Sequence, residues 1–371
     1  MSSPLWSWRT TSASSSARAG GRVDWRRTAA PRIFFSRSIT RCRSYLSVAP
    51  QHKRRPYDPL VPRVAVIDMG TNSTRLLIAD VDDGRVHEVE RRTNVTRLGE
   101  GVDESGRLAP AAIERVLGAV SVYADLIDQH GAAQTVALAT SAARDAENAG
   151  DLMDTMRERF GIEPRTISGE EEATLTFLGA TTGLDPGETT MVLDIGGGST
   201  ELVEGDPGSP PTFHVSTRAG SVRQTERHLK DDPPPPDQVD AVSVEVRRII
   251  EESVPAPTRA AVERGIAVAG TATSLAAIDQ ELDPYDPARV HGYELRLEAC
   301  DRMLAMLASI PLEERRRVTG LHPDRAPTII AGAVILIEAM RACGLDSMTT
   351  SESDILHGAA ITAAMSANSE L

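Results

Sequence analysis

Met191-Val-Leu-Asp-Ile-Gly-Gly-Gly-Ser-Thr-Glu-Leu-Val203 reads as a short apolar strand, a glycine-rich turn and a second strand beginning near Thr200. Asp194 stands where the first strand runs out, so a rigid element holds its carboxylate at the mouth of a cleft. Gly196, Gly197 and Gly198 let backbone N–H groups approach a ligand with no Cβ in the way. Such a turn can form a nest of amides for phosphate oxygens. Ser199 adds a hydroxyl, and Glu201 a second carboxylate. An anion cradle beside two carboxylates repels bare phosphate, but it suits a divalent cation that bridges carboxylate and phosphate.

The same grammar recurs upstream in Val64-Ala-Val-Ile-Asp-Met-Gly-Thr-Asn-Ser-Thr-Arg-Leu-Leu-Ile-Ala79. Asp68 corresponds to Asp194, Gly70 to Gly196 and Ser73 to Ser199, with Thr71 and Asn72 completing the turn. An internal repeat of this kind implies two related lobes, each offering one phosphate-binding hairpin to a shared cleft.

The paired hairpins resemble those of the acetate and sugar kinase, Hsp70 and actin superfamily. More narrowly, the chain is similar to the exopolyphosphatase and guanosine pentaphosphate phosphohydrolase family. Further motifs carry that likeness in the family's order: ATSAARDAEN at 139–148, ISGEEEATLTFLGA at 167–180, AGTATSLAAI at 269–278, VHGYEL at 290–295 and PDRAPTIIAGAVILIEAM at 323–340. The resemblance implies an α/β fold of two ribonuclease-H-like lobes around a central cleft. Lobe I would span 63–175 plus the C-terminal helix 352–371, and lobe II 176–351. Longer members carry additional helical domains that extend a polyphosphate channel; this chain stops at 371, so weaker grip on long chains is expected. The family also carries an arginine near the position of His357, in a Leu-Arg-Glu-Gly-like sequence, which this chain lacks.

Composition sets bounds. A length of 371 residues accommodates two domains with substantial cores, and a hydrophobic fraction of 40% with 25% charged residues is ordinary for a globular protein. No apolar run reaches membrane-spanning length. The net charge of −13 argues against nucleic acid as a partner. Cys42, Cys300 and Cys343 show neither disulfide nor zinc spacing, which fits a reducing cytoplasm. Residues 1–62 differ from all that follows: 12 are Lys or Arg, and the only acids are Asp24 and Asp58. This aperiodic stretch reads as a misplaced start or a targeting segment, outside the fold.

Along the chain, Val86–Arg97 reads as one or two strands and 96–102 as a loop. Pro110 opens a helix to His130, where Gly131 ends it. A strand over 136–140 leads into Ser141-Ala-Ala-Arg144 at the carboxyl edge of the sheet, where ligands bind in such folds. Glu170, Glu171 and Glu172 start a helix through Ala180, as acids often do at a helix N-terminus. Helices are expected over 237–252, 296–308 and 327–342, and again after Gly358. A strand over 266–270 leads into Gly270 and Thr271, a pattern that puts an anion at a helix N-terminus.

The expected reaction is attack of water on a terminal phosphoryl group. The resemblance implies Glu172 as the base on that water and Arg144 as the arginine facing the phosphates. Asp68, Gly70, Thr71, Asn72, Ser73, Gly196, Gly197, Gly198, Ser199, Gly270 and Thr271 would bind substrate. Asp194, with Glu201 and Asp68, would hold Mg²⁺, Mn²⁺ being an allowed substitute. The substrate would be inorganic polyphosphate, with guanosine pentaphosphate second, because no aromatic residue flanks either hairpin turn or AGTATSLAAI. Arg75, Arg97, Arg144 and Arg223 would supply cations for repeating anions. A homodimer is an allowed assembly. An ATP-dependent kinase or ATPase of the same superfamily and a catalytically silent nucleotide sensor remain as alternatives.

Overall fold

The computed structural model describes residues 61–369, the side chains of 367–369 excepted. The expectation for 1–62 therefore lies outside the described residues up to position 60. Eleven strands form two sheets among the described residues. The first contains β1 (Arg63–Met69), β2 (Ser73–Asp82), β3 (Arg85–Val95), β4 (Gln134–Ala139) and β5 (Pro164–Thr166), in the order β3-β2-β1-β4-β5. The second contains β6 (Thr190–Ile195), β7 (Thr200–Gly205), β8 (Phe213–Thr217), β9 (Arg264–Val268), β10 (Glu294–Arg296) and β11 (Ser347–Thr350), in the order β10-β11-β9-β6-β7-β8.

Both sheets follow one plan. Three antiparallel strands are joined by tight connections, and further strands then pair parallel to the first. The second sheet adds only the antiparallel edge strand β10. The two ribonuclease-H-like lobes implied by the repeated hairpin are thus present.

Helices of two turns or more among the described residues are numbered α1 (Pro110–His130), α2 (Ala149–Phe160), α3 (Gly169–Thr181), α4 (Ser221–His228), α5 (Pro236–Ser253), α6 (Ala269–Asp279), α7 (Leu297–Ser309), α8 (Ile329–Cys343) and α9 (Ile355–Ser369). The near-continuous apolar run of β1 follows from burial on both faces. Ala65, Ile67 and Met69 join Val116, Val120 and Leu152 of α1 and α2, whereas Val64 and Val66 join Leu356, Ala359 and Ala360 of α9. In β6, Met191, Leu193 and Ile195 face the core that contains α8, and Val192 meets Ala173 and Phe177 of α3.

α3 therefore touches the second sheet through Ala173 and Phe177 and the α9 side through Leu175. The boundary expected between residues 175 and 176 falls inside this helix. The α3–α9 crossing is close enough to require glycine: a Cβ on Gly179 would lie 2.0 Å from the Asp354 carbonyl oxygen, and one on Gly358 1.8 Å from that of Leu175. The C-terminal helix thus lies on the first sheet, its N-terminus beside the cleft. Among the described residues, no helix is long and apolar enough to cross a membrane.

Candidate active site

The cleft opens at the carboxyl ends of the parallel strands β1, β4, β6 and β9, where such sheets bind ligands. Asp68 is the sixth residue of β1 and Asp194 the fifth of β6. The pairing registers place Arg75 opposite Asp68 and Glu201 opposite Asp194. The repeat therefore breaks at one position. One hairpin pairs its aspartate with a guanidinium, the other with a second carboxylate.

The hairpin turns are built to present N–H groups. In the first, Gly70 N–H bonds back to the Ser73 carbonyl at 3.0 Å. In the second, the carbonyls of Gly196 and Gly197 accept from Ser221 and Val222 at the start of α4, both at 2.9 Å. That leaves the amides of Thr71, Asn72, Gly197 and Gly198 without a protein acceptor among the described residues. Free amides at a polar wall are what a phosphate nest needs.

Asp68, Gly70, Thr71, Asn72, Ser73, Glu172, Asp194, Gly196, Gly197, Ser199, Glu201, Gly270 and Thr271 all line the cleft. Gly198 instead lines a small adjoining pocket, where a Cβ would stand 2.6 Å from Ser141 Oγ. Of the three glutamates at the head of α3, Glu170 is exposed and Glu171 pairs with Arg165 at 2.6 Å. Only Glu172 is buried, and it faces the cleft. Helix-dipole reasoning could not separate the three; the turn of the helix does.

Arg144 is not a wall of the cleft. Its Nη1 donates to Glu172 Oε2 at 2.6 Å and to the Ile167 carbonyl at 3.0 Å. A carboxylate at that distance is a stronger acceptor than a solvated site, so Arg144 fixes Glu172 rather than facing the cleft as expected. Glu172 Oε1 accepts no hydrogen bond among the described residues.

The other expected arginines divide. Arg75 lines the cleft. Arg97 is exposed. Arg223 is buried and ties Asp103 to Asp145, Nη2 reaching Asp145 Oδ2 at 2.8 Å. Sequence spacing shows that an arginine is present, not which way it turns.

Two residues not singled out beforehand complete the site. Arg325, from the motif before α8, lines the cleft, and no hydrogen bond or ion pair engages its guanidinium among the described residues. It packs so tightly on Gly270 that a Cβ there would be 1.7 Å from Arg325 Nη1. The preceding Ala269 has φ 63°, a left-handed conformation rare for L-residues, which turns the chain into α6 here. Asp354, buried at the head of α9, accepts from Arg75 Nη1, and its Oδ1 caps the Leu356 N–H at 3.0 Å. A Ser-x-Ser-Asp sequence before an apolar run is a helix-start signal that could have marked Asp354. Tyr285 also comes close: its hydroxyl bonds Glu352, and it acts electrostatically on Arg325. No aromatic residue flanks this turn in sequence; Tyr285 comes from the loop after α6.

The electrostatics favour a cation. Burial pushes the Asp68 carboxyl up against the opposing pull of Arg75. Burial likewise pushes Asp194 up to about 7, with Arg75 opposing and Asp354, Glu172 and Asp68 adding to the rise. Burial, then Glu172 and Asp194, drives Glu201 well above the usual range. Burial raises Glu172 despite Arg144. Asp354 is held low: burial would raise it, but Arg75, Arg91 and His357 prevail.

No three acidic, histidine or cysteine side chains among the described residues close as a ready-made metal site. Asp68, Asp194 and Glu201 therefore do not form the three-carboxylate set expected. Glu201 Oε1 is instead taken by Ser216 Oγ at 2.7 Å. The donors nonetheless fit Mg²⁺, which uses one or two carboxylates together with substrate phosphates. Asp68 Oδ1 is buried with no hydrogen-bond partner, the state of an oxygen awaiting a hard cation.

The chain matches the Ppx/GppA phosphatase family over residues 77–365. It is 39% identical over 321 residues to Exopolyphosphatase 2 of Mycobacterium tuberculosis, covering 81% of this chain and 98% of that protein. The solved structure of an exopolyphosphatase-like protein superposes with a TM-score of 0.78 at 36% identity, covering 83% of this chain and 99% of its own. That of the Aquifex aeolicus Ppx/GppA member superposes with a TM-score of 0.72 at 30% identity, covering 83% and 99%. The family match runs from within β2 to within α9, and this chain belongs to the Ppx/GppA phosphatase family.

Proposed function

We propose that the protein hydrolyses the terminal phosphoanhydride of inorganic polyphosphate in the presence of Mg²⁺. The observation that carries this reading is the convergence of two amide-lined turns, an unpaired arginine and a buried glutamate on one cleft. Free amides of the hairpins hold the terminal phosphates, and Arg325 takes the next anionic group. Asp68 and Asp194 would hold a divalent cation, which when bound would supply neutralisation of the charge on the phosphoryl oxygens. Glu172, fixed by Arg144 through Oε2, accepts the proton of the attacking water on Oε1. Arg75 offsets the charge of Asp68 and Asp354 and keeps the carboxylates from expelling the substrate.

Guanosine pentaphosphate is the second reading, and the half-exposed ring of Tyr285 beside Arg325 is the observation that favours it. The test is phosphate release from polyphosphate, guanosine pentaphosphate and ATP, each with Mg²⁺ and with chelator. Release from polyphosphate that needs Mg²⁺ is expected. Turnover confined to ATP would support the kinase or ATPase alternative instead, and binding of nucleotide without turnover a silent sensor.

A further inference from the structure

The glycine turn between β6 and β7 is held from behind by α4. The Gly196 carbonyl accepts from the Ser221 N–H at 2.9 Å, and that of Gly197 from the Val222 and Arg223 N–H groups at 2.9 and 3.2 Å. The Gly198 carbonyl accepts from the side chain of Arg223, Nε lying at 2.9 Å. The peptides of this turn are trans, so the carbonyl of each residue and the N–H of the next point in opposite directions. Drawing three successive carbonyls toward α4 turns the N–H groups of Gly197, Gly198 and Ser199 away from it, and Gly197 and Ser199 line the cleft. The fit is close: a Cβ on Gly220, just before α4, would stand 2.2 Å from the Gly197 carbonyl oxygen.

The rest of the Arg223 guanidinium goes to the first lobe. Nη1 donates to Asp103, between β3 and α1, and Nη2 to Asp145, beyond β4, at 2.8 Å. One buried planar fork thus engages the turn and both acids at once, a geometry that a lysine cannot reproduce. Neither acid depends on Arg223 alone. Asp103 also accepts from Arg218 Nη2 at 2.7 Å and Arg227 Nη2 at 3.3 Å, and Arg218 Nη1 lies 3.9 Å from Asp145.

We propose that Arg223 is a positioning residue for phosphate binding, aiming the amides of Gly197, Gly198 and Ser199 while two carboxylates of the first lobe brace it. The proposal rests on the polyphosphate reading above and adds to it a residue that acts only through the turn. The fork holds the Gly198–Ser199 peptide in the orientation a phosphate needs, so the amides are already aimed before substrate arrives.

The test compares KM and kcat for tripolyphosphate, and inhibition by orthophosphate, in the wild type, Arg223→Lys and Asp103→Asn, all with Mg²⁺. Arg223→Lys keeps the charge and loses the fork. KM and the orthophosphate inhibition constant should each rise roughly tenfold, the worth of one hydrogen bond to a charged group. Its kcat should stay within about twofold of wild type, as for a loss of uniform binding. Asp103→Asn weakens the brace but leaves the Nε bond and Asp145 in place, so Tm should fall while KM stays close to wild type. An unchanged KM in Arg223→Lys overturns the proposal. So does a rise in Asp103→Asn as large as that in Arg223→Lys, which would make Arg223 a fastener between lobes and nothing more. If Arg223→Lys does not fold, the ¹⁵N-labelled wild type decides. Orthophosphate should shift the amide signals of Gly197, Gly198 and Ser199 and leave Arg223 Nε–H in place; a shift at Nε–H with none at the amides overturns the proposal. A wild type that releases no phosphate from tripolyphosphate refutes the polyphosphate reading itself, a result distinct from an unchanged KM in the variant.

Discussion

Arg75 donates from both Nε and Nη2 to one oxygen of Asp68, Oδ2, at 2.9 and 2.7 Å, and leaves Oδ1 buried without a partner. The aspartate is therefore anchored through one oxygen and available through the other. Across the cleft, Asp194 has no such arginine opposite it, only Glu201. One lobe supplies a fixed, half-neutralised carboxylate and the other an excess of negative charge.

Arg75 holds Asp68 and Asp354 together, so Arg75→Gln should be costly. Removing one partner of a buried ion pair strands the other charge, typically at about 3–5 kcal/mol. Denaturant unfolding would measure the loss. Adding Asp354→Asn should recover part of it, because one stranded carboxylate is then gone. Full wild-type stability in the single variant would contradict this arrangement.

Glu172→Gln keeps the shape of the base and removes its function. General-base catalysis contributes about 100- to 10,000-fold, so kcat should fall by that order while KM changes little. Steady-state phosphate release gives both constants. Near wild-type turnover would take Glu172 out of the chemistry.

Burial pushes the Asp194 carboxyl from its ordinary value of 3.8 up to about 7 in the folded chain. Between these values the folded chain keeps a proton that the unfolded chain has released. This group's contribution to stability therefore falls as pH rises through that window. In chelator, Tm should decline from acid to neutral pH, with a shallower decline in Asp194→Asn. Mg²⁺ should raise Tm most above the window, where the carboxylates are ionised, and least at its acid end.

The α3–α9 crossing places both Glu172 and Asp354. Gly358→Ala would drive a methyl group into the Leu175 carbonyl, and forced overpacking costs about 1–3 kcal/mol. The variant should lose stability and turnover together. A stable variant with full activity would show that the helices can part without disturbing the site.

The hairpins were legible because strand, aspartate, glycine and hydroxyl recur in fixed local order, and local order survives folding. α1 was legible from end to end for the same reason: proline opens it and glycine closes it. Contacts between distant segments were not. Arg325 reaches the cleft, and Asp354 reaches Arg75 behind it, from positions far along the chain, and local sequence order does not give such contacts. Arg223 and Arg97 looked like candidates for anion contact, yet one is consumed by Asp103 and Asp145 and the other faces solvent. Glu172 was separated from its two neighbouring acids only by the family resemblance, and the pitch of α3 supplies the physical reason, since it alone of the three is buried.

The central claim is removal of phosphate from chain ends by water, and ³¹P NMR of polyphosphate during turnover tests it most directly. Internal phosphate signal should fall as orthophosphate grows, while the number of chain ends stays constant until the chains are short. Chain ends that multiply as internal signal falls would mean internal cleavage. Orthophosphate that appears only with an added acceptor would mean transfer rather than hydrolysis. Either result would contradict the account.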